Sequence, residues 1–231
     1  MKGLTYQRDS HTLVNQSLTA KTEQQIINKI LPLLPSWINS DILTFMGLAS
    51  SFVVAGGYIL ASRNKSFLFL SCLGLILHWF GDSFDGQLAR FRKKTRPNYG
   101  YYIDHIIDGL SVAIVGLGVG YSPFIRKEIA FAFVSLYLLM EINVLLIKSV
   151  QNIFKLSFSI FGPTELRILG IILSLSIYFS SLNYFTILKI SLTQYDLISI
   201  IVLIIMIFML TASIIQKGKE LNRMDIRNWK K

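Results

Sequence analysis

The sequence is constrained most by its division into long apolar blocks. A helix needs about 20 residues to cross the roughly 30 Å hydrocarbon core of a membrane. Hydrophobic residues make up 52% of the 231 residues, and they concentrate in blocks of about this length. The six blocks comprise residues 42–61, 67–91, 101–121, 129–150, 165–185 and 195–215. They predict an all-α integral membrane protein with six transmembrane helices.

The basic residues follow the same organisation. The formal net charge is +10, and most Lys and Arg residues fall near the termini and in the second-to-third and fourth-to-fifth connections. With six spans these segments share one side of the membrane, and the positive-inside rule makes that side cytoplasmic. The distribution argues against nucleic-acid binding and predicts that both termini are cytoplasmic. We expect the plasma membrane of a bacterium or an archaeon.

The segment before the first block predicts an amphipathic helix. Ile26, Ile27 and Ile30 recur at helical spacing opposite polar residues, and Pro32 and Pro35 end the pattern. We expect this helix to lie on the cytoplasmic membrane surface. The expected organisation is a polar N-terminal arm (1–16), the amphipathic juxtamembrane helix (17–38), a six-helix transmembrane catalytic domain (39–216) and a basic cytoplasmic tail (217–231).

Four aspartates interrupt the second and third blocks. Asp82 and Asp85 are three residues apart, and Asp104 and Asp108 are four apart, so each pair shares a helical face. The two helices are antiparallel and joined by a short loop, so all four carboxylates can meet at one level. They cannot all ionise without positive charge between them, and hard cations such as Mg²⁺ or Mn²⁺ are the natural partner.

A carboxylate centre of this kind has a chemical use. Two divalent ions can hold a diphosphate and polarise its phosphorus for in-line attack, while a spare carboxylate takes the proton of the attacking hydroxyl. Two readings without catalysis stand beside this one. The aspartates could form an ion-pair network at the helix ends, or the site of a divalent-cation transporter or binding protein, because membrane carboxylates also line ion pathways.

The spacing of these residues matches a known pattern. Eight positions read Asp82-x2-Asp85-Gly86-x2-Ala89-Arg90-x9-Gly100-x3-Asp104-x3-Asp108. This resembles the full signature of the CDP-alcohol phosphotransferases, which are integral-membrane enzymes of phospholipid synthesis. Upstream, the segment 40–44 falls where many members carry Pro-Asn-x-x-Thr, and this chain keeps only the threonine, Thr44.

The resemblance implies a role for each matching position. The implied metal ligands, for two Mg²⁺ or Mn²⁺ ions, are Asp82, Asp85, Asp104 and Asp108. The implied contacts to the CDP-linked donor are Asp41, Thr44, Asp85, Gly86, Ala89 and Arg90. Asp108 is implied to be the general base as well. The resemblance also implies a homodimer.

The activity implied is transfer of a phosphatidyl group to an alcohol, with release of CMP. The expected donor is CDP-diacylglycerol, and the expected acceptor is a small polar alcohol. The alternative within the family uses soluble CDP-choline or CDP-ethanolamine with a lipid alcohol as the acceptor.

Polar residues at the start of the fifth block are candidates for acceptor binding. Glu165 and Arg167 follow Pro163, which is typical of a helix start. They could hold a polar acceptor or a headgroup, or only anchor the helix at the interface. His78, one turn before Asp82, is expected to be a buried hydrogen-bonding side chain, and Arg92 is expected to face anionic lipid or the substrate.

Overall fold

The computed structural model of the protein describes residues 19–151, 163–187 and 190–229. These residues form seven α-helices and one antiparallel pair of strands, β1 (Tyr184–Ile187) and β2 (Ile190–Thr193). The helices are α1 (Ala20–Ile30), α2 (Ser40–Leu60), α3 (Leu68–Phe91), α4 (Pro97–Gly120), α5 (Lys127–Gln151), α6 (Pro163–Phe179) and α7 (Gln194–Trp229). The predicted all-α membrane class is confirmed, with the short hairpin as the exception.

Five helical segments of the described chain are long and apolar enough to cross a membrane. They are Ser40–Leu60, Lys65–Phe91, Pro97–Gly120, Lys127–Val150 and Gln194–Arg227. The one predicted span missing from these five is the fifth block, which corresponds to α6; this helix has 17 residues and so a length of about 26 Å. That is slightly shorter than the hydrocarbon core. The count of six spans therefore stays a prediction.

The C-terminal boundary predicted for the fifth block, residue 185, is wrong. α6 ends at Phe179, and Phe185 lies in β1. Two physical causes end the helix early. The Lys65 ammonium donates to the carbonyls of Ile177 (3.0 Å) and Ser180 (2.6 Å) at the end of the helix. The following run is rich in aromatic and β-branched residues, which favour a strand.

Helices also occupy the described residues near the two ends of the chain. α7 continues past residue 215 to Trp229, so most of the predicted basic tail is helical. The predicted polar arm, residues 1–16, lies outside the described residues. The amphipathic helix occupies Ala20–Ile30, and a 3₁₀ turn follows it at Leu31–Leu33. Ile27 of its apolar face is buried and packs with Phe84 of α3 in one cluster, whereas Ile26 of the same face is exposed.

Helices α2, α3 and α4 form the centre of the molecule. α2 packs against both α3 and α4, α3 also packs against α6, and α4 packs against α5. Small residues bring α2 and α3 together. A Cβ added at Gly81 would lie 2.6 Å from the Leu43 carbonyl oxygen and 2.7 Å from the Gly47 nitrogen, which is closer than such contacts occur. Glycine at position 81 therefore holds the next residue, Asp82, against α2.

The end of α3 is shaped by a Schellman motif. The Lys94 amide donates to the Ala89 carbonyl (2.9 Å) and the Lys93 amide donates to the Arg90 carbonyl (3.0 Å). Lys93 accordingly has a positive φ of 54°. Arg92 lies just before it, and its guanidinium donates to backbone carbonyls of the α1–α2 connection. These carbonyls belong to Leu34, Pro35, Ser36 and Ile38. Arg92 thus fastens that connection to the end of α3.

At the opposite end of the molecule, a capping box stabilises the start of α7. The Asp196 amide donates to Thr193 Oγ1 (3.0 Å), and Asp196 Oδ2 accepts from the Thr193 amide (2.8 Å). Asp196 Oδ1 also accepts from the Arg126 amide (2.7 Å), which ties α7 to the α4–α5 connection. This cap lies on the side of the molecule where the α2–α3 connection and the end of α6 meet through Lys65.

Candidate active site

Three of the four signature aspartates meet between α3 and α4. Asp82 on α3 and Asp104 and Asp108 on α4 each offer a carboxylate oxygen, and these oxygens all lie within 4.8 Å of one another. Oxygen ligands of one Mg²⁺ or Ca²⁺ lie within about 5 Å of each other, because each metal–oxygen distance is roughly 2.0–2.6 Å. The donor set is all carboxylate, which suits a hard divalent cation. The residues therefore fit such an ion.

Asp85 lies beside this group with both carboxylate oxygens already engaged. Its Oδ2 accepts from Thr44 Oγ1 at 2.6 Å, and its Oδ1 accepts from the Gly86 amide. Its backbone carbonyl accepts from Ser40 Oγ at 3.0 Å. The side chain is buried, and it is held against the start of α2. The structure therefore brings three of the four predicted metal ligands together and places the fourth, Asp85, directly beside them.

A small cavity of about 10 Å³ opens between these side chains. Its wall consists of Thr44, Gly47, His78, Asp82, Asp85, Asp104, Ile107 and Asp108. The volume suits a body the size of one water molecule. Three helices, α2, α3 and α4, supply the wall, so their close packing decides the position of every carboxylate.

Glu165 and Arg167, the two residues of α6 predicted to bind the acceptor, lie in different environments. Arg167 points into the carboxylate group, where its Nη2 donates to Asp82 Oδ2 at 2.8 Å and its Nε donates to His78 Nδ1 at 3.0 Å. Glu165 is buried, and its Oε1 accepts from the Thr19 amide (3.0 Å) and hydroxyl (2.8 Å). Of the pair predicted to hold the acceptor, Arg167 thus lies at the carboxylates and Glu165 lies against the start of α1.

The predicted donor contacts lie at the end of α3 and the start of α2. Arg90 is exposed, and a Cβ at Gly86 would lie 3.6 Å from its Nη2, so Gly86 and the guanidinium are neighbours. Ala89 is half-buried on the same turn. Asp41, in the first turn of α2, forms an ion pair with Arg96. Gly100 is open, since no side chain or neighbouring element of the described residues would lie within 4 Å of a Cβ there.

One side chain near the site was missed by the sequence analysis. Glu23 Oε1 accepts from Trp79 Nε1 (2.9 Å), Ser83 Oγ (2.6 Å) and Thr164 Oγ1 (3.1 Å). These donors belong to α3 and α6, and Ser83 is the neighbour of Asp82 in the chain. Glu23 therefore fixes α1 to both helices that carry Asp82 and Arg167. Its first-turn position in an amphipathic helix is the only local signal, and that position is equally typical of a solvent-exposed acid.

His105 packs against its own helix. Its ring lies 4.2 Å from the Tyr101 ring, centroid to centroid, and its Nδ1 is 2.9 Å from the Tyr101 carbonyl oxygen and 3.7 Å from Asp104 Oδ2. Lys148 of α5 lies with its Nζ 5.4 Å from the same Tyr101 ring. The carboxylate group is therefore flanked by a basic side chain on the α5 side as well.

The fold and the site define a helical membrane protein with a carboxylate centre suited to divalent metal. A family model described as CDP-alcohol phosphatidyltransferase matches residues 37–215, which span every signature position. The chain belongs to this family and is therefore a transferase, which confirms the resemblance seen in the sequence. Members use a CDP-alcohol donor and an alcohol acceptor, and typically divalent metals. No curated protein matches the chain.

Proposed function

We propose that the protein transfers the phosphatidyl group of CDP-diacylglycerol to a small polar alcohol and releases CMP. The observation that supports this most is the meeting of Asp82, Asp104 and Asp108, with carboxylate oxygens within 4.8 Å, in a chain of this family. An integral membrane enzyme can take a lipid-linked donor directly from the bilayer. The product is then a phospholipid whose headgroup is the acceptor.

The aspartates hold two Mg²⁺ or Mn²⁺ ions in this proposal. Asp82, Asp104 and Asp108 supply the nearest oxygens, and Asp85 completes the set from the adjoining wall. When bound, such ions neutralise the diphosphate and make its phosphorus more electrophilic. The Thr44 hydroxyl orients Asp85 by donating to Oδ2, which leaves the carboxylate only limited freedom to turn.

Asp108 is the proposed general base. It lies one turn beyond Asp104, on the side of the carboxylate group away from the α3–α4 loop. It accepts the proton of the acceptor hydroxyl while the acceptor oxygen bonds to the phosphorus that carries the diacylglycerol. The bond from that phosphorus to the oxygen of CMP breaks in the same step, and CMP departs with that oxygen.

The remaining signature residues bind the two substrates. Gly86, Ala89 and Arg90 contact the nucleotide, Arg90 through a phosphate, and Asp41 and Thr44 reach it from α2. Arg167 faces the acceptor from α6. Glu165 then supports this arrangement through Thr19 and α1, which is a less direct part than the one expected from the sequence.

Product analysis with two donors tests the proposal. The protein, purified in detergent micelles with Mg²⁺, is given radiolabelled CDP-diacylglycerol and in turn glycerol 3-phosphate, serine, inositol and inositol phosphate. A labelled phospholipid with one acceptor and stoichiometric CMP are expected, and both should vanish with excess chelator and return with Mg²⁺ or Mn²⁺. Asp82→Asn is the inactive control.

Other outcomes identify the alternatives. A lipid product from labelled CDP-choline and diacylglycerol, with none from CDP-diacylglycerol, would make the donor assignment wrong. Uptake of a divalent cation into proteoliposomes, without CMP release from either donor, would favour a divalent-cation transporter.

A further inference from the structure

Arg167 stands out among the charged residues of the site because it is a cation bound to a proposed metal ligand. Its Nη2 lies 2.8 Å from Asp82 Oδ2, and its side chain is only 12% exposed. Its Nε donates to His78 Nδ1 at 3.0 Å, and His78 is one helical turn before Asp82. The guanidinium from α6 therefore bridges two groups on the inner face of α3.

The bridge leaves one nitrogen of the Arg167 guanidinium without a partner among the described residues. This nitrogen, Nη1, is buried. A buried donor without a partner costs free energy, since it has lost water without gaining a protein acceptor. The guanidinium is therefore held by two of its three nitrogens, and moving it would break fewer bonds than in a fully satisfied bridge.

The backbone of α6 after Arg167 packs closely against α3 and α2. Gly170, one turn later on α6, allows a close approach to α3, because a Cβ there would lie 3.1 Å from Leu75 Cδ1. Ser174, one turn further, is buried, and its hydroxyl lies 2.8 Å from the Tyr58 hydroxyl of α2. A change at Arg167 can therefore consist of a side-chain rotation, with α6 staying in position.

We infer that Arg167 is a built-in counter-ion that competes with divalent metal for Asp82. The inference rests on the proposed function, since it concerns the same metal centre. Without metal, the guanidinium balances one of the three clustered carboxylate charges. A divalent ion that binds Asp82 shares a carboxylate with a like-charged group, so the ion and the guanidinium oppose each other. Arg167 thus weakens metal affinity and stabilises the centre when no metal is bound.

Metal titration of an arginine variant tests this competition. Mn²⁺ binding to the purified full chain in detergent is followed by the electron paramagnetic resonance signal of free Mn²⁺. Arg167→Gln should lower the dissociation constant for Mn²⁺ by at least about tenfold, because a repelling charge is removed. Arg126→Gln is the matched control, since it removes an arginine paired with Glu128 outside the carboxylate group. It should leave the constant unchanged.

Thermal unfolding supplies the second readout. In excess chelator Arg167→Gln should unfold at a lower temperature than the unaltered protein, because the clustered carboxylates then lose the positive charge that is paired with Asp82. Saturating Mn²⁺ should remove that difference. A variant whose midpoint is low with and without Mn²⁺ would show that Arg167 only supports packing, and would overturn the inference.

A conservative variant decides the matter if Arg167→Gln does not fold. Lysine keeps the charge but cannot donate to Asp82 and His78 as one planar fork, so it should hold Asp82 less firmly. Arg167→Lys should bind Mn²⁺ more tightly than the unaltered protein and less tightly than Arg167→Gln. Equal or weaker Mn²⁺ binding in either variant would overturn the inference.

The inference and the proposed function fail in different ways. If the unaltered protein binds no Mn²⁺ and releases no CMP, the proposed function itself is wrong. If it binds Mn²⁺, loses this binding on Asp82→Asn, and is unaffected by Arg167→Gln, the metal centre stands and only the competition is wrong.

Discussion

Four aspartates in one short stretch of sequence occupy four different environments. Asp85 has both oxygens engaged by donors of the protein, and Asp82 shares one oxygen with Arg167. Asp104 has the His105 ring nitrogen 3.7 Å away, and Asp108 faces the other two carboxylates of the cluster. Substitutions of the same kind should therefore have different consequences.

The first prediction concerns Asp108. Asp108→Asn keeps the side-chain shape and one oxygen but removes the basic oxygen, so turnover should fall at least about 10²-fold, the usual scale for a general base. Donor affinity should stay within a few-fold, since Asp82, Asp85 and Arg90 are unchanged. Initial rates and CDP-diacylglycerol binding by the same preparation check this. If Asp108→Asn lost donor binding while turnover per bound donor stayed normal, Asp108 would be a metal ligand only.

The second prediction concerns the hydrogen bond between Thr44 and Asp85. Thr44→Val replaces the hydroxyl by a methyl group of similar size, so Asp85 Oδ2 loses its 2.6 Å donor in a buried position. A buried charged acceptor without its donor costs about 1–3 kcal/mol, so the unfolding temperature in detergent should fall by several degrees. Thr44→Ser keeps the hydroxyl and is the control. Equal losses in both variants would point to packing, rather than the hydrogen bond, as the cause.

The sequence predicts the residues of this site better than their contacts. Helical periodicity is a local property, so the spacing of Asp82, Asp104 and Asp108 was enough to bring them to one level. The Arg167–Asp82 ion pair and the Glu23 hydrogen bonds join helices that are far apart in sequence. They depend on how α1, α3 and α6 pack, and no spacing rule along the chain contains that information.

At the scale of the helices and strands, the residues where an element begins or ends depend on tertiary contacts. Local sequence propensity does not include these contacts. Hydropathy located α2 to α5 within a few residues, because an apolar run of membrane length is an unambiguous signal. It failed at the end of α6, where Lys65 from a distant connection caps the helix and the aromatic residues continue as β1. Apolar strand residues and apolar helix residues look alike to a hydropathy window.

The third prediction concerns the end of α3. Lys93 adopts the left-handed conformation with φ 54°, which costs a non-glycine residue roughly 1 kcal/mol. Lys93→Gly should therefore raise the unfolding temperature by about 2–4 °C, if the free energy gained is about 1 kcal/mol. Lys94→Gly removes the same charge at the next position, where φ is not positive, and should give no gain. Equal shifts in the two variants would trace the effect to charge.

Across the whole molecule, the number of membrane crossings depends on α6. Its N-terminal turn touches α3 late in that helix, where Arg167 meets Asp82, and Thr164 and Ser83 donate to the same Glu23 oxygen. Its C-terminal carbonyls reach Lys65, just before α3 begins. α6 thus runs antiparallel along α3 from the level of the carboxylates to the opposite end. A helix that accompanies a membrane span over this distance is expected to cross with it, although it is shorter.

The last prediction follows from that arrangement. In a Cys72→Ser background, single cysteines are placed at exposed positions as Thr95→Cys, Lys127→Cys and Lys219→Cys. Six crossings place Thr95 and Lys219 on one side and Lys127 on the other, and the positive-inside rule makes the first side cytoplasmic. In intact cells an impermeant maleimide should label only Lys127→Cys, and the other two should react after lysis. Labelling of both Lys127→Cys and Lys219→Cys from outside would mean that α6 does not cross, because one crossing fewer moves the end of α7 to the far side from the carboxylate centre.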